Sequence, residues 1–117
     1  MKLRFRADSL RLRLNQIEAR TLAAGKAVEE RVSFPGGHAL VYRLAPVDAA
    51  SSNARLAGST IEISVPREQL KAWNDQEDIG FYFHAGALSI AIEKDLECTD
   101  APPEERDPYA FPRKAAC

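Results

Sequence analysis

Charged and apolar residues alternate with a period of two along much of this chain. That rhythm constrains the fold most, because successive side chains of a strand point to opposite faces. In the opening residues Leu3, Phe5 and Ala7 fall on one side and Lys2, Arg4 and Arg6 on the other, predicting a strand over 2–7. Asp8-Ser9 breaks the run, and Leu10, Leu12 and Leu14 then resume it with Arg11 and Arg13 between them, as in the return strand of a hairpin. A helix capped by Ser9 is the rival, since Leu10, Leu14 and Ile17 match i, i+4, i+7, but it leaves Leu12 off the buried face. The alternation also predicts strands over 27–34 and 38–44, flanking Pro35-Gly36-Gly37, and over 79–84 and 87–93, joined across Ala85-Gly86. A short strand over 54–57 follows a polar loop. Gly58-Ser59 then turns into a strand over 60–65, where Ile61, Ile63 and Val65 oppose Glu62 and Ser64.

Two segments depart from this period. Asn15-Gln16-Ile17-Glu18 has the spacing of a capping box, and Gly25 supplies the left-handed residue that closes a helix, so a helix is predicted over 16–24. Pro66 suits the first position of a second helix over 67–74, in which Leu70 and Trp73 form an i, i+3 stripe. Helices this short persist only against a sheet. The prediction is an α+β fold: a mainly antiparallel sheet of six to eight strands, twisted or partly closed, with two short helices. Residues 93–107 hold seven acids against two bases, and prolines stand at 102, 103, 108 and 112. The chain thus divides into one domain over 1–95 and an acidic, proline-rich tail over 96–117, loosely docked or disordered. The sequence shows no internal repeat.

Composition narrows function by exclusion. In 117 residues, 45% hydrophobic, there is apolar material for one core. No run approaches the roughly 18 apolar residues of a membrane span, and the charged opening lacks the apolar stretch of a secretory signal. Sixteen bases against seventeen acids leave a net charge of −1, so no overall excess points to nucleic acid or an anionic membrane. Cys98 and Cys117 read as reduced thiols, and a cytoplasmic location is expected. Neither a phosphate-cradling glycine loop nor a nucleophile elbow occurs, and no cofactor is expected.

The segment KLRFRADSLRLRLNQIE, the short helix closed by glycine, and IAIEKDLEC ahead of an acidic tail resemble a family of small uncharacterised bacterial proteins known only as a domain of unknown function. The resemblance covers nearly the whole chain and is most specific in the opening strand, turn and Leu-Arg-Leu segment and in the EKD-x-x-C motif at 93–98. Leu96 stands where similar proteins carry phenylalanine. The resemblance implies a bacterial cytoplasmic domain, and no reaction, ligand or partner.

Three clusters carry candidate chemistry. Lys2, Arg4 and Arg6 with Arg11 and Arg13 put five cations against Asp8 within thirteen residues, a ribbon able to touch phosphates. The only aromatic in that run is Phe5, which the alternation turns to the core. The bland reading is therefore a solvated face paired with Glu29, Glu30 or Glu62 or covered by the tail, and nucleic acid is disfavoured as a partner. Glu93 and Asp95, with Cys98 and His84, form a candidate charged site for a metal-dependent or thiol enzyme, with His38 a second candidate base. The spacing matches no metal motif, so no metal is expected, and the bland reading has Lys94 and the acids decorating a strand end. A barrel enclosing Arg4, Arg6, Arg43, Glu62 and Glu93 would suit a polyphosphate, but the Glu-x-Glu-x-Lys opening of triphosphate tunnel enzymes is absent. The sequence thus favours a non-enzymatic accessory or interaction module with an unknown protein partner and no membrane, and an edge strand would also allow a homodimer.

Overall fold

The computed structural model describes residues 1–97, 104 and 106–112. Eight strands and two helices follow one another as β1 (Lys2–Arg6), β2 (Ser9–Leu14), α1 (Gln16–Ala23), β3 (Val28–Ser33), β4 (Ala39–Val47), β5 (Asn53–Ala57), β6 (Thr60–Pro66), α2 (Arg67–Asp75), β7 (Gly80–Ala85) and β8 (Leu88–Lys94). The segment after Ser9 is a strand, so Leu10, Leu12 and Leu14 all face inward and are buried.

Each helix is fixed by its local sequence. The Asn15 side chain accepts from the Glu18 amide at 2.9 Å and the Glu18 carboxylate accepts from the Asn15 amide at 3.0 Å, closing the capping box. At the other end Gly25, with φ +90°, lets its own amide reach the Leu22 carbonyl and the Lys26 amide reach that of Thr21, which satisfies two orphan acceptors. Pro66 is the residue before α2 and the last of β6, one position earlier than its ring geometry suggested. Leu70 and Trp73 are buried as the i, i+3 stripe requires.

The strands divide into two four-stranded sheets where one was expected. The first has the order β1-β2-β8-β7 and the second β3-β4-β6-β5. The pairs β1/β2, β3/β4, β5/β6 and β7/β8 are antiparallel hairpins, but each sheet is joined at its centre by a parallel pair, β2 with β8 and β4 with β6. Periodicity reports which face a residue takes and is silent on which strand lies beside it, so this division lay beyond it.

The two sheets are built alike. The order strand, strand, helix, strand, strand occurs twice, and each sheet takes one hairpin from each half of the chain. Equivalent residues stand 51 positions apart in the first part of each half: Leu12 and Ile63, Leu14 and Val65, Ala19 and Leu70, Leu22 and Trp73, all buried. Ala7 and Gly58 also match, both at positive φ (48° and 60°) in the hairpin tips, a conformation glycine adopts without the strain an alanine bears. The repeat lies in shape and burial, with few identities.

Both sheets and both helices supply one core of Leu10, Leu12, Leu14, Ala19, Leu22, Tyr42, Leu44, Ile63, Val65, Leu70, Trp73, Ile90 and Ile92. Lys94 shares the inward parity of Ile90 and Ile92 and is buried, in place of decorating a strand end. Its ammonium donates to the Gln76 carbonyl at the C-terminus of α2 (2.5 Å) and lies 5.9 Å from the Trp73 ring centre and 5.3 Å from that of Phe111. Burial lowers its pKa against the pull of Asp78 and Glu77. Part of the tail returns to the domain: Leu96 and Phe111 form a parallel bridge, and the Gln16 amide donates to the Tyr109 carbonyl at 2.9 Å. Asp107 accepts from the Asn15 side chain at 2.9 Å and the Tyr109 amide at 2.8 Å. Burial raises the Asp107 pKa, but these two bonds, with Lys2 and the chain amine, outweigh it and bring the value down. Among the described residues no helix is long and apolar enough to cross a membrane.

The amine of Met1 is enclosed by the Glu18 and Glu30 carboxylates, the second at 3.1 Å, while the Met1 carbonyl accepts from Tyr42. Burial opposes the positive charge, yet bonding and attraction from both carboxylates prevail, and the pKa lies above its ordinary 8.0. A raised value means the contribution to stability is complete below pH 8 and fades as pH climbs through the folded-state value. Stability is therefore expected to fall between pH 7 and 9.5, and the Glu18→Gln chain to show a shallower fall. Urea unfolding of both at the two pH values checks this, and equal slopes would refute it.

Candidate functional site

The outer face of the first sheet gathers the charged residues of the opening strands. The pairing register sets out its rows across β1, β2, β8 and β7: Lys2, Arg13, Glu93, Gly80; then Arg4, Arg11, Ala91, Tyr82; then Arg6, Ser9, Ser89, His84. All five cations share this face, and two pairs stand directly opposite one another, Lys2 with Arg13 and Arg4 with Arg11. Like charges so placed destabilise a hairpin.

The counter-charges are few and sit at one end. Glu93 lies 3.1 Å from Arg11 and 4.0 Å from Arg13, and also accepts from the Tyr82 hydroxyl at 3.0 Å. That bond raises the Tyr82 pKa, burial and the Glu93 charge add to the rise, and Arg11 opposes it. Asp95, buried just past the end of β8, lies 2.8 Å from the Lys2 ammonium. The Arg4 and Arg6 side chains are exposed and have no carboxylate partner among the described residues.

The second sheet solves the same problem differently. Its equivalent outer row reads Glu29, Arg43, Glu62, Arg55 across β3, β4, β6 and β5, alternating in sign, with Arg55 paired to Glu62. Glu29 and Glu62 are thus committed to the other sheet, and Glu30 holds the Met1 amine, so none of the three neutralises the cations of β1 and β2. Arg4, Arg6, Arg43, Glu62 and Glu93 point away from the apolar core, and the described residues enclose no charged lumen.

The residues of the candidate charged site do not all meet. Glu93 and Asp95 share the outward parity, but His84 pairs with Ser89, four residues along β8 from Glu93, roughly 13 Å at strand rise. The His84 ring is 3.3 Å from the Ser89 hydroxyl. Cys98 and Cys117 lie outside the described residues. Among the described residues no three of His, Cys, Asp and Glu group as metal ligands do. An open hollow of about 300 Å³ beside α1 is lined by Ile17, Arg20, Thr21, Ala24 and Lys26, far in sequence from these groups.

Tyr82 is the residue that sequence reading passed over. Phe81 and Phe83 turn inward on the same strand, and the parity that buries them leaves Tyr82 66% exposed. Its place in the row of Arg4 and Arg11 depends on strand order, which the sequence does not display.

No curated protein and no solved structure matches the chain. A model of a family of unknown function, DUF7009, matches residues 1–114, and the chain belongs to that family.

Proposed function

We propose that the chain is a cytoplasmic, non-enzymatic interaction module that meets an anionic macromolecule through the outer face of its first sheet. The observation that carries this reading is the like-charge register of β1 and β2: Lys2 faces Arg13 and Arg4 faces Arg11, while the matching row of the second sheet alternates in sign. A fold that balances one face and leaves the other unbalanced bears the repulsion where an anion would relieve it. Glu93 and Asp95 serve as counter-ions to Arg11 and Lys2, a role that favours positioning of cations over acid-base chemistry. At the β1 edge of this sheet the same cations discourage pairing with a second copy, which favours the face over that edge as the place of contact. Two cysteines in 117 residues supply no disulfide framework, in keeping with a reducing compartment.

The test exploits the net charge. At pH 7 and low salt the full chain, net −1, is expected to be retained on a cation exchanger through this face alone. Arg4→Glu with Arg6→Glu should pass through unretained, and Arg43→Glu, a single reversal on the balanced face, should remain bound. A wild-type chain that is not retained, or an Arg4→Glu/Arg6→Glu chain that still is, would refute the reading.

A further inference from the structure

We infer that the anion this face accepts is single-stranded nucleic acid, its phosphates on Arg4, Arg6, Arg11 and Arg13 and one base stacked on Tyr82. The inference rests on the cationic-face reading and narrows it to one class of partner. Three observations support it. First, the Tyr82 ring is bare and yet held: its hydroxyl donates to Glu93 at 3.0 Å, and Glu93 is in turn gripped by Arg11 at 3.1 Å. A tethered aromatic with an open face loses little freedom when a base stacks on it.

Second, the residue beside Tyr82 in its row is the small Ala91, while Glu93 reaches over from the next row to join the Tyr82 hydroxyl to Arg11, so ring and guanidinium are held at a fixed spacing. Strands lie about 4.8 Å apart, which puts Arg11 roughly 10 Å and Arg4 roughly 14 Å from Tyr82 across the sheet. The row is thus an aromatic platform, a small residue and two guanidiniums, in the order that a base followed by its backbone phosphates would meet them. Third, this face is formed by four strands, and α2 meets the sheet from its inward side, Trp73 against Phe81. A sheet surface reads splayed bases by stacking, whereas entry into a duplex groove calls for a protruding helix or ribbon. An acidic peptide could use the same arginines, but it gives the bare ring no task.

The experiment is fluorescence anisotropy on the full chain at low salt and through a salt series. The probes are a labelled oligothymidine, a mixed-sequence duplex of the same length and a polyglutamate peptide. The chain is expected to bind the oligothymidine more tightly than the duplex. Arg4→Glu with Arg6→Glu should lose at least tenfold in affinity and flatten the salt dependence, since two phosphate contacts contribute about 1.4 to the slope. Tyr82→Ala should lose about 5- to 150-fold for the oligothymidine and leave polyglutamate binding unchanged. Tyr82→Phe, which keeps the ring and drops the bond to Glu93, should lose less than Tyr82→Ala, because stacking survives and only the tether is gone. Circular dichroism of each variant confirms the fold. If polyglutamate binds and responds to the arginine changes while the oligothymidine does not bind, the nucleic-acid inference is overturned and the cationic-face reading stands. Equal binding of duplex and single strand, or a Tyr82→Ala chain that binds the oligothymidine normally, also overturns it. Failure of all three probes at low salt removes both.

Discussion

Cut within the loop between β4 and β5 and made as separate pieces, residues 1–50 and 51–117 are each expected to lose the fold, and to recover it when mixed. Both sheets are shared between the pieces: β1-β2 needs β8, and β6-β5 needs β4. A piece alone would hold two isolated hairpins with Leu12 and Leu44, or Ile63 and Ile92, open to water, and two-stranded hairpins are marginal on their own. The repeat suggests an escape in which two copies of the first piece replace the missing half. That pairing would set Arg43 of one copy beside Arg11 of the other, where Ala91 now stands, and extend the run of like charges. Far-UV circular dichroism and thermal melts of each piece, and of the mixture, read the outcome. A single piece that melts cooperatively as a monomer would show that the halves are not interdependent.

Replacing Trp73 with alanine is expected to cost about 3–5 kcal/mol, the range for removing a large buried ring. Trp73 is 3% exposed, meets Phe81 edge-on with ring centres 5.8 Å apart, and donates from its indole nitrogen to the Ile79 carbonyl at 3.1 Å. That carbonyl also accepts from the Lys94 amide, so one side chain of α2 anchors the entry to β7 and the end of β8 together. The substitution also strips one of the two rings from around the Lys94 ammonium. Trp73→Phe retains much of the packing and loses the bond to Ile79, for a smaller cost of about 1–2 kcal/mol. Urea unfolding followed by circular dichroism measures both, since Trp73 is the chain's one tryptophan and its fluorescence vanishes with it. A loss below about 1 kcal/mol for the alanine would contradict this account.

What was legible in the sequence was local. Asn15 with Glu18, Gly25, Leu70 with Trp73 and the alternating strands each state their structure within a few residues, and the elements fall where those signals place them. The division into two sheets was not legible, because it depends on β2 choosing β8 and β4 choosing β6, and no residue of β2 names its distant neighbour. The repeat escaped notice for a related reason: Leu12 and Ile63, or Ala19 and Leu70, share only a buried, apolar position. Lys94 is the instructive case. Its parity with Ile90 and Ile92 pointed inward, while its charge argued outward, and the helix carbonyl and two rings that receive it come from other parts of the chain. At the candidate site the five cations could be read together from β1 and β2, but their lack of counter-charges followed only once Glu29, Glu30 and Glu62 had been placed elsewhere.

The parallel seam between β2 and β8 joins residues made at opposite times. Leu12 lies beside Ile92, so during synthesis β2 leaves the ribosome with one flank bare and waits for roughly eighty further residues before its neighbour emerges. Throughout that interval its unpaired amides and carbonyls are a template for any passing strand, and the arginines of β1 and β2 set like charge against another nascent copy of the same strands.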